Sequence, residues 1–398
     1  MLRQIDIVAR DPVLRMAAAG TLLFGSYVCS IGIYQSLIAI NVIGLSEAAY
    51  AIIIVAAMAS GVLTAVGVGI ITDQRPSRRS MAIVAVCGSL VAALLVWLFP
   101  GKPAFILAHA VLLPLGGTLF GQIFAVTRLA SQHLPESDRA GVMAVVRGVF
   151  AVPFVVLLPL WGLAADAGMS LLAIYPGIAV IAALHLLVIL RHWPHDRTAP
   201  WVEVKSGLRF RAALAEILTP PVLARVQLVG ILQTGGALAG VLVGLCFDAA
   251  GRSTGQVGFF FSLFVGVEVL GTLLLGTLSA RLARSRIILI GVLLYAVFLV
   301  GMPVLAAGPW IWAMAFFAGL GGALIYTPVI AYVQDLLGAR AGAGASLLAL
   351  GRIGQDGATA AAFGIGTFLG GYGLAGVLGA VFTCAAITAI IVLDRSRV

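Results

Sequence analysis

Charge is what this sequence has least of. Asp, Glu, Lys and Arg make up 10% of its 398 residues, while 62% are hydrophobic. A soluble domain carries about 25% charged residues, so a water-facing surface of ordinary polarity cannot be built from this chain. Acid is scarcer than base: 15 Asp and Glu stand against 24 Lys and Arg, a formal net charge of +9. The four cysteines (Cys29, Cys87, Cys246 and Cys384) lie singly within apolar runs, which suggests neither a disulfide framework nor a thiolate metal centre. No metal-ligand cluster, glycine-rich phosphate loop ending in Lys-Ser or Lys-Thr, nucleophile elbow or dinucleotide fingerprint occurs. An enzyme, a cofactor and a bound metal are therefore not expected. A basic excess in a soluble protein would raise nucleic-acid binding. Here the basic residues sit in short loops between apolar runs, and no nucleic-acid partner is expected.

What the sequence has is long apolar runs. A span needs about 20 apolar residues. Such runs fall near 13–40, 47–71, 80–99, 104–130, 140–165, 170–190, 221–247, 255–280, 287–306, 310–335, 341–368 and 372–393. The expected fold is an all-α integral membrane protein of twelve transmembrane helices, with both termini on one side. With that side cytoplasmic, Arg3, Arg10, Arg15, Arg75, Arg78, Arg79, Arg191, Arg197, Lys205, Arg209, Arg211, Arg281, Arg284, Arg286, Arg395 and Arg397 all fall inside, and only Lys102 and Arg252 outside. That is the positive-inside pattern. The start, MLRQIDIVARDPVLRM, lacks the form of a cleavable signal peptide and leads straight into a span. The expected location is a bacterial inner membrane, as a multi-pass monomer among lipids.

The chain repeats internally. Gly44-Leu45-Ser46 corresponds to Gly251-Arg252-Ser253 and Gly69 to Gly276, both at an offset of 207. Gly116-Gly117 corresponds to Gly321-Gly322 and Arg147 to Arg352, both at 205. Residues 1–190 and 221–398 are expected to form two pseudo-symmetric six-helix bundles. The polar stretch 191–220 joins them as a linker, part of it a solvated segment or an interfacial amphipathic helix, with Trp201, Val204, Leu208 and Phe210 interleaved among Lys205, Arg209 and Arg211. Two parallel six-helix repeats resemble the layout of the major facilitator superfamily.

The loop after the second span carries the next point of resemblance: Gly69, three residues, Asp73, then Arg75 and the pair Arg78-Arg79. It is similar to the facilitator loop signature. The glycine permits close packing, Asp73 pairs at a neighbouring helix end, and the arginines sit at the headgroups; such a latch holds one access state closed. A plain positive-inside loop is the alternative. The matching loop from Gly276 has Ala280 where the acid would stand. Arg128 and Asp335, at cytoplasmic span ends, are grouped with this gating region. In the fifth span Arg147-Gly148 is followed by Val152-Pro153, a partial match to an exporter signature. Four further stretches resemble the sugar efflux transporter family: Gly121-Gln122 through Phe124-Ala125 to Arg128; Tyr332-Val333-Gln334-Asp335-Leu336 with Arg340-Ala341-Gly342; Arg352-Ile353-Gly354; and Gly266-Val267-Glu268-Val269. The chain departs from that family at the Gly-Pro signature and at Asp356.

Ionisable groups inside a span cost at least a few kcal/mol and usually line a pathway or pair with one another. Arg147, Glu268, Arg352 and Asp356 are the four that stand out. Arg352 and Asp356 are four residues apart on one helix face, where a pair forms. Glu268 lies near the centre of its span, where a carboxyl that exchanges a proton would serve coupling; a fixed pair with Arg352 is the alternative. His109 is a further proton candidate or a structural histidine. Tyr34, Gln35, Gln122, Gln233, Tyr326 and Gln355 are polar groups within spans that suit a hydroxyl-rich solute, or helix packing. Arg147 and Arg352 join them as substrate candidates, with Arg352 expected to matter more because it alone has an acid at i+4. The expected function is secondary active transport by alternating access, with proton-coupled efflux of a sugar or similar small polar solute first. Efflux of another amphiphile or drug, and metabolite import, come next. A transporter-like receptor or lipid-handling protein is the rival class.

Overall fold

The computed structural model describes the backbone of residues 2–75, 77–199, 201, 219–279, 282–337 and 344–395; within these, the side chains of Asp73, 276–279, 330–331, 333–337, 344–349 and 395 are not described. Among the described residues all regular structure is helical. The first element is a separate amphipathic helix, Leu2–Arg10, within the polar start that precedes the first span. Its Arg3 and Gln4 donate to Asp138 at 2.8 and 3.3 Å.

The spans are α1 (Pro12–Gly32), α2 (Glu47–Gln74), α3 (Arg78–Leu98), α4 (Lys102–Ala130), α5 (Glu136–Asp166), α6 (Leu171–His192), α7 (Pro220–Ala249), α8 (Thr254–Ser279), α9 (Arg284–Leu305) and α10 (Ile311–Leu337). The final helical stretch, Gly344–Arg395, is two limbs, α11 (344–369) and α12 (372–395), parted where Gly371 takes φ +74°. A Cβ on Gly366 would lie 2.3 Å from Ala375 Cα, so the limbs fold back against each other. Eleven described helices are long and apolar enough to cross a membrane. Dividing the last, of 45 residues, gives the twelve passes.

Local chemistry sets the boundaries. Asp11 caps α1, accepting from the backbone N–H of Val13 and Leu14 at 2.8 and 2.9 Å ahead of Pro12, satisfying donors that a helix start leaves orphaned. Ser46 caps α2 through Ala49 at 3.2 Å. The outward faces are apolar: Leu63, Leu274 and Phe368 are 74%, 68% and 86% exposed, which a lipid surround accommodates and water does not.

The repeat is visible in the backbone. Gly44 after α1 and Gly251 after α7 take φ +73° and +70°; Gly168 after α5 and Gly371 after α11 take +93° and +74°. Side chains rarely adopt that region, which explains why glycine recurs at these turns. Twelve passes place both described chain ends on one face of the bundle, here the terminal face. The turns at Gly44, Gly168, Gly251 and Gly371 lie on the opposite, distal face.

Candidate functional site

The halves are closed against each other at the distal face. A Cβ on Gly244 of α7 would lie 3.0 Å from Leu37 in the extension of α1, and one on Gly240 would lie 3.6 Å from the Gly32 carbonyl. Asn41 donates to Asp248 at 2.9 Å; these residues are themselves separated by the repeat offset of 207. On the α5–α8 seam a Cβ on Gly162 would lie 2.7 Å from Gly255 Cα, and one on Gly258 would lie 2.5 Å from the Leu158 carbonyl oxygen. Ser262 donates to the Val155 carbonyl at 2.8 Å.

Below these contacts α5 and α8 part. Gly148 on α5 and Gly266 on α8, each the next step along the seam, would meet nothing within 4 Å if given a Cβ; Gly117 and Gly121 on α4 likewise face open space. Among the described residues the α5–α8 seam is thus closed distally and parted toward the terminal face. Arg147 and Glu268 sit at this parting, one from each half. Each acts electrostatically on the other, and neither side chain makes a hydrogen bond or close ion pair among the described residues.

Three other helices of the second half surround Glu268 on α8. Its Oε2 is 3.0 Å from where a Cβ on Gly322 of α10 would be. Tyr326 of α10 and Tyr295 of α9 lie within its electrostatic reach. The Tyr326 hydroxyl rests on Gly236 of α7, a Cβ there lying 1.9 Å away. Glycine at 236 and 322 makes room for the phenol and the carboxylate. Sequence reasoning missed Tyr295 and read Gly236 only as part of a packing stripe; the signal was a tyrosine and a glycine whose spacing says nothing until the helices cross.

The remaining candidates are dispersed. Arg352 bonds Asp356 through Nε and Nη2 at 3.2 and 3.0 Å, the Asp356 side chain being 12% and the Arg352 side chain 59% exposed. Gln233 occupies the break in α7 between Leu232 and Thr234, partly buried. The Gln355 carbonyl accepts from Thr234 and Thr359 hydroxyls at 3.4 and 2.7 Å. Tyr34 is fully buried and donates to the Leu158 carbonyl at 3.0 Å, so it belongs to the closed distal contact; Gln35, partly buried, follows it. Gln122 is buried and accepts from Arg78 at 3.3 Å. His109 is buried inside the first half, its Nε2 2.8 Å from the Tyr175 hydroxyl and its ring stacked on Phe105 at 3.9 Å.

In the loop after α2, Gly69 lies within the helix and Arg75 ends it, exposed. Arg79 is not free at the headgroup level: it bonds the Leu190 carbonyl at 2.9 Å and His195 at 3.1 Å, and its backbone N–H donates to Asp196 at 2.7 Å. Arg128 is exposed in the last turn of α4. The side chains of Asp73 and Asp335 lie outside the described residues, as does the Arg340-Ala341-Gly342 stretch.

Two bundles of six spans, related by a repeat and, among the described residues, closed against each other at the distal face, define a multi-pass membrane protein of transporter architecture. The family model described as Major Facilitator Superfamily matches residues 121–355, and the chain belongs to that superfamily. No curated protein sequence matches. Among solved structures, a mutant of the nucleoside transporter NupG superposes with a TM-score of 0.74 at 14% identity, covering 96% of this chain and 100% of that one. A D-xylose-proton symporter gives 0.65 at 16%, covering 92% and 95%. A mutant of the peptide transporter POT in complex with sulfate gives 0.71 at 14%, covering 96% and 94%. At these identities the likeness speaks for the fold.

Proposed function

We propose that this transporter is a proton-coupled exporter of a sugar or similarly small polar solute, working by alternating access in a bacterial inner membrane with both termini in the cytoplasm. The observation that carries the reading is the pair Arg147 and Glu268, one from each half, facing across the seam where α5 and α8 part. A carboxylate near the middle of a span is retained where it pairs, binds a proton or lines a path. Here its nearest cation belongs to the opposite half, so the strength of their attraction depends on how the halves are set. Proton binding at Glu268 and rocking of the halves are thereby coupled. Bundles 1–190 and 221–398 are the rocking bodies, with 191–220 as the linker. With the termini cytoplasmic, the conformation described here is open to the cytoplasm, as an exporter must be to load.

Arg147, Arg352, Gln233, Gln355 and Tyr326 are the proposed solute contacts; Glu268, with Asp356 behind it, is the proposed proton site. The gating role of the loop from Gly69 to Arg79 rests on its resemblance to the facilitator signature. The sugar assignment rests on resemblance to the sugar efflux family and draws support from the xylose-proton symporter among the structural neighbours. That neighbour is named a symporter, so proton-driven uptake is the second reading, using the same residues with the flux reversed.

Counterflow in proteoliposomes against pentoses, hexoses, disaccharides, nucleosides, small peptides and cationic amphiphiles tests the solute class. Exchange of amphiphiles with none of any sugar would overturn the sugar assignment. Flux under imposed pH gradients of either sign separates export from uptake.

A further inference from the structure

We propose that Asp166 is the latch that holds the distal face shut, a positioning residue that acts by capping helix α8 of the opposite half. Asp166 is the last residue of α5. Its Oδ2 accepts from the Ser253 hydroxyl at 2.8 Å and its Oδ1 from the Gly255 backbone N–H at 2.9 Å. The start of a 26-residue helix presents orphaned N–H donors and the positive end of the helix dipole. Helix α8 carries only a weak cap of its own, Ser253 accepting from Gln256 at 3.4 Å. The stronger, charged acceptor comes from the other half.

Two glycines permit the approach. A Cβ on Gly255 would lie 2.2 Å from Asp166 Oδ2, and one on Gly162, a turn earlier on α5, would lie 2.7 Å from Gly255 Cα. Any side chain at 255 would expel the carboxylate. The related position in the repeat is built differently. There the acid, Glu47, sits in the first turn of α2 itself, and the neutral Tyr372, after α11, lies within its electrostatic reach. The charged cap is found on the α5–α8 side, the side that carries Arg147 and Glu268.

Opening the distal face requires α5 and α8 to separate there. Both bonds to Asp166 must break, while nothing about the terminal face requires them. An interaction present in one of two states shifts their balance by its full strength. The inference rests on the alternating-access reading above; its test is run without solute, so an error in the assigned solute or direction leaves the result unaffected.

The experiment uses the full chain with Cys29, Cys87, Cys246 and Cys384 replaced, in proteoliposomes. Leu37→Cys reports the distal face, since Leu37 packs on Gly244 of the other half. Gly121→Cys, facing open space on α4, reports the terminal face. Impermeant maleimide labelling is read for each in the presence of Asp166, Asp166→Ala and Asp166→Asn. With Asp166→Ala, Leu37→Cys is expected to label about tenfold faster, the factor for about 1.4 kcal/mol, and Gly121→Cys to label more slowly. Asp166→Asn, which can keep both bonds but loses the charge on the helix start, should shift both reporters in the same directions by a smaller factor than Asp166→Ala; a larger shift than in Asp166→Ala overturns the proposal. Unchanged rates in Asp166→Ala overturn the proposal. So does a rise at both faces, which reports loosening rather than a shift between states. Should Asp166→Ala fail to fold, Ser253→Ala removes one of the two bonds and must move both reporters in the same directions by a smaller factor; no movement there overturns the latch.

Discussion

Two seams join the halves, and the internal repeat relates one to the other, yet their chemistry differs. On the α5–α8 seam backbone carbonyls, glycines and hydroxyls make the contact: Gly162 on Gly255, Leu158 on Gly258, Ser262 on Val155, with Asp166 at the distal end. On the α2–α11 seam apolar and small side chains do so. Tyr50 meets Phe363 edge-on at 5.9 Å, a Cβ on Gly364 would lie 3.1 Å from Ala51, and Val62 reaches the small cluster of Val226 and Leu350. The paired arginines follow suit. Arg147 finds its acid across the seam, in the other half; Arg352 finds its acid one turn along its own helix. A pair within one helix moves as a unit and cannot sense rocking. A pair divided between the halves can. The repeat supplied two equivalent positions, and only one was placed where its charge depends on the relative setting of the bundles.

The largest expected effect therefore belongs to Glu268. Glu268→Gln removes the titrating group while keeping its size, and should retain solute counterflow but lose pH-driven accumulation altogether. Counterflow and gradient-driven flux measured in the same vesicles decide the matter; accumulation that survives in the Gln variant would move the proton site to Asp356 and to the other seam.

Next comes the contrast between the arginines. The spacing of Arg352 and Asp356 had favoured Arg352 as the more sensitive position. The cross-seam placement of Glu268 reverses that order. Arg147→Ala leaves a carboxylate in the membrane interior without its facing cation, and a lost coupling of about 1–3 kcal/mol corresponds to a transport rate lower by about 5–150-fold. Arg352→Ala leaves Asp356 without its partner but disturbs one helix, so a milder loss is expected. Initial rates of exchange for the two variants compare the seams directly; a greater loss in Arg352→Ala would return the site to α11.

The seams should also differ in tolerance of a single methyl group. Gly258→Ala would drive a Cβ to 2.5 Å from a backbone oxygen of the other half, whereas Gly364→Ala would bring one to 3.1 Å from the Ala51 methyl. Backbone cannot yield as a side chain can, and overpacking of this kind costs about 1–3 kcal/mol. Gly258→Ala should hinder distal closure and raise labelling of Leu37→Cys; Gly364→Ala should change it little. Equal effects would show the two seams to be mechanically equivalent.

Much of the frame was legible in the sequence because apolar runs and loop charges are local signals. The spans, the repeat through Gly44 and Gly251, and the Arg352–Asp356 pair all follow from spacing along one chain. The surroundings of Glu268 do not. They depend on Gly236, Tyr295, Gly322 and Arg147, which lie on four other helices, and no periodicity ties residue 147 to residue 268. Asp166 was passed over because an acid at a span end is unremarkable until the partner helix start is known. Arg79 was read as a headgroup anchor; its bonds to Leu190, His195 and Asp196 required the fold of the segment after α6.

The smallest effect on coupling is expected at His109, which is buried within the first half. Its partners, Phe105 and Tyr175, are residues of the first half, and its imidazole is 3% exposed as a residue. A group enclosed within one rigid body meets the same surroundings in both access states, so it has no means of trading a proton between the two sides. His109→Gln can keep a bond to the Tyr175 hydroxyl and should be close to neutral. His109→Ala strands that hydroxyl in the interior, which costs about 1–3 kcal/mol and should lower the melting temperature of the purified protein. Thermal unfolding in detergent reads the first quantity, and pH-driven accumulation, normalised to counterflow in the same vesicles, reads the second. A lower melting temperature with the accumulation ratio intact fits a structural histidine. Intact counterflow with lost accumulation in His109→Ala would instead place the proton within the first bundle, and the contrast between the two seams would then not be the source of coupling.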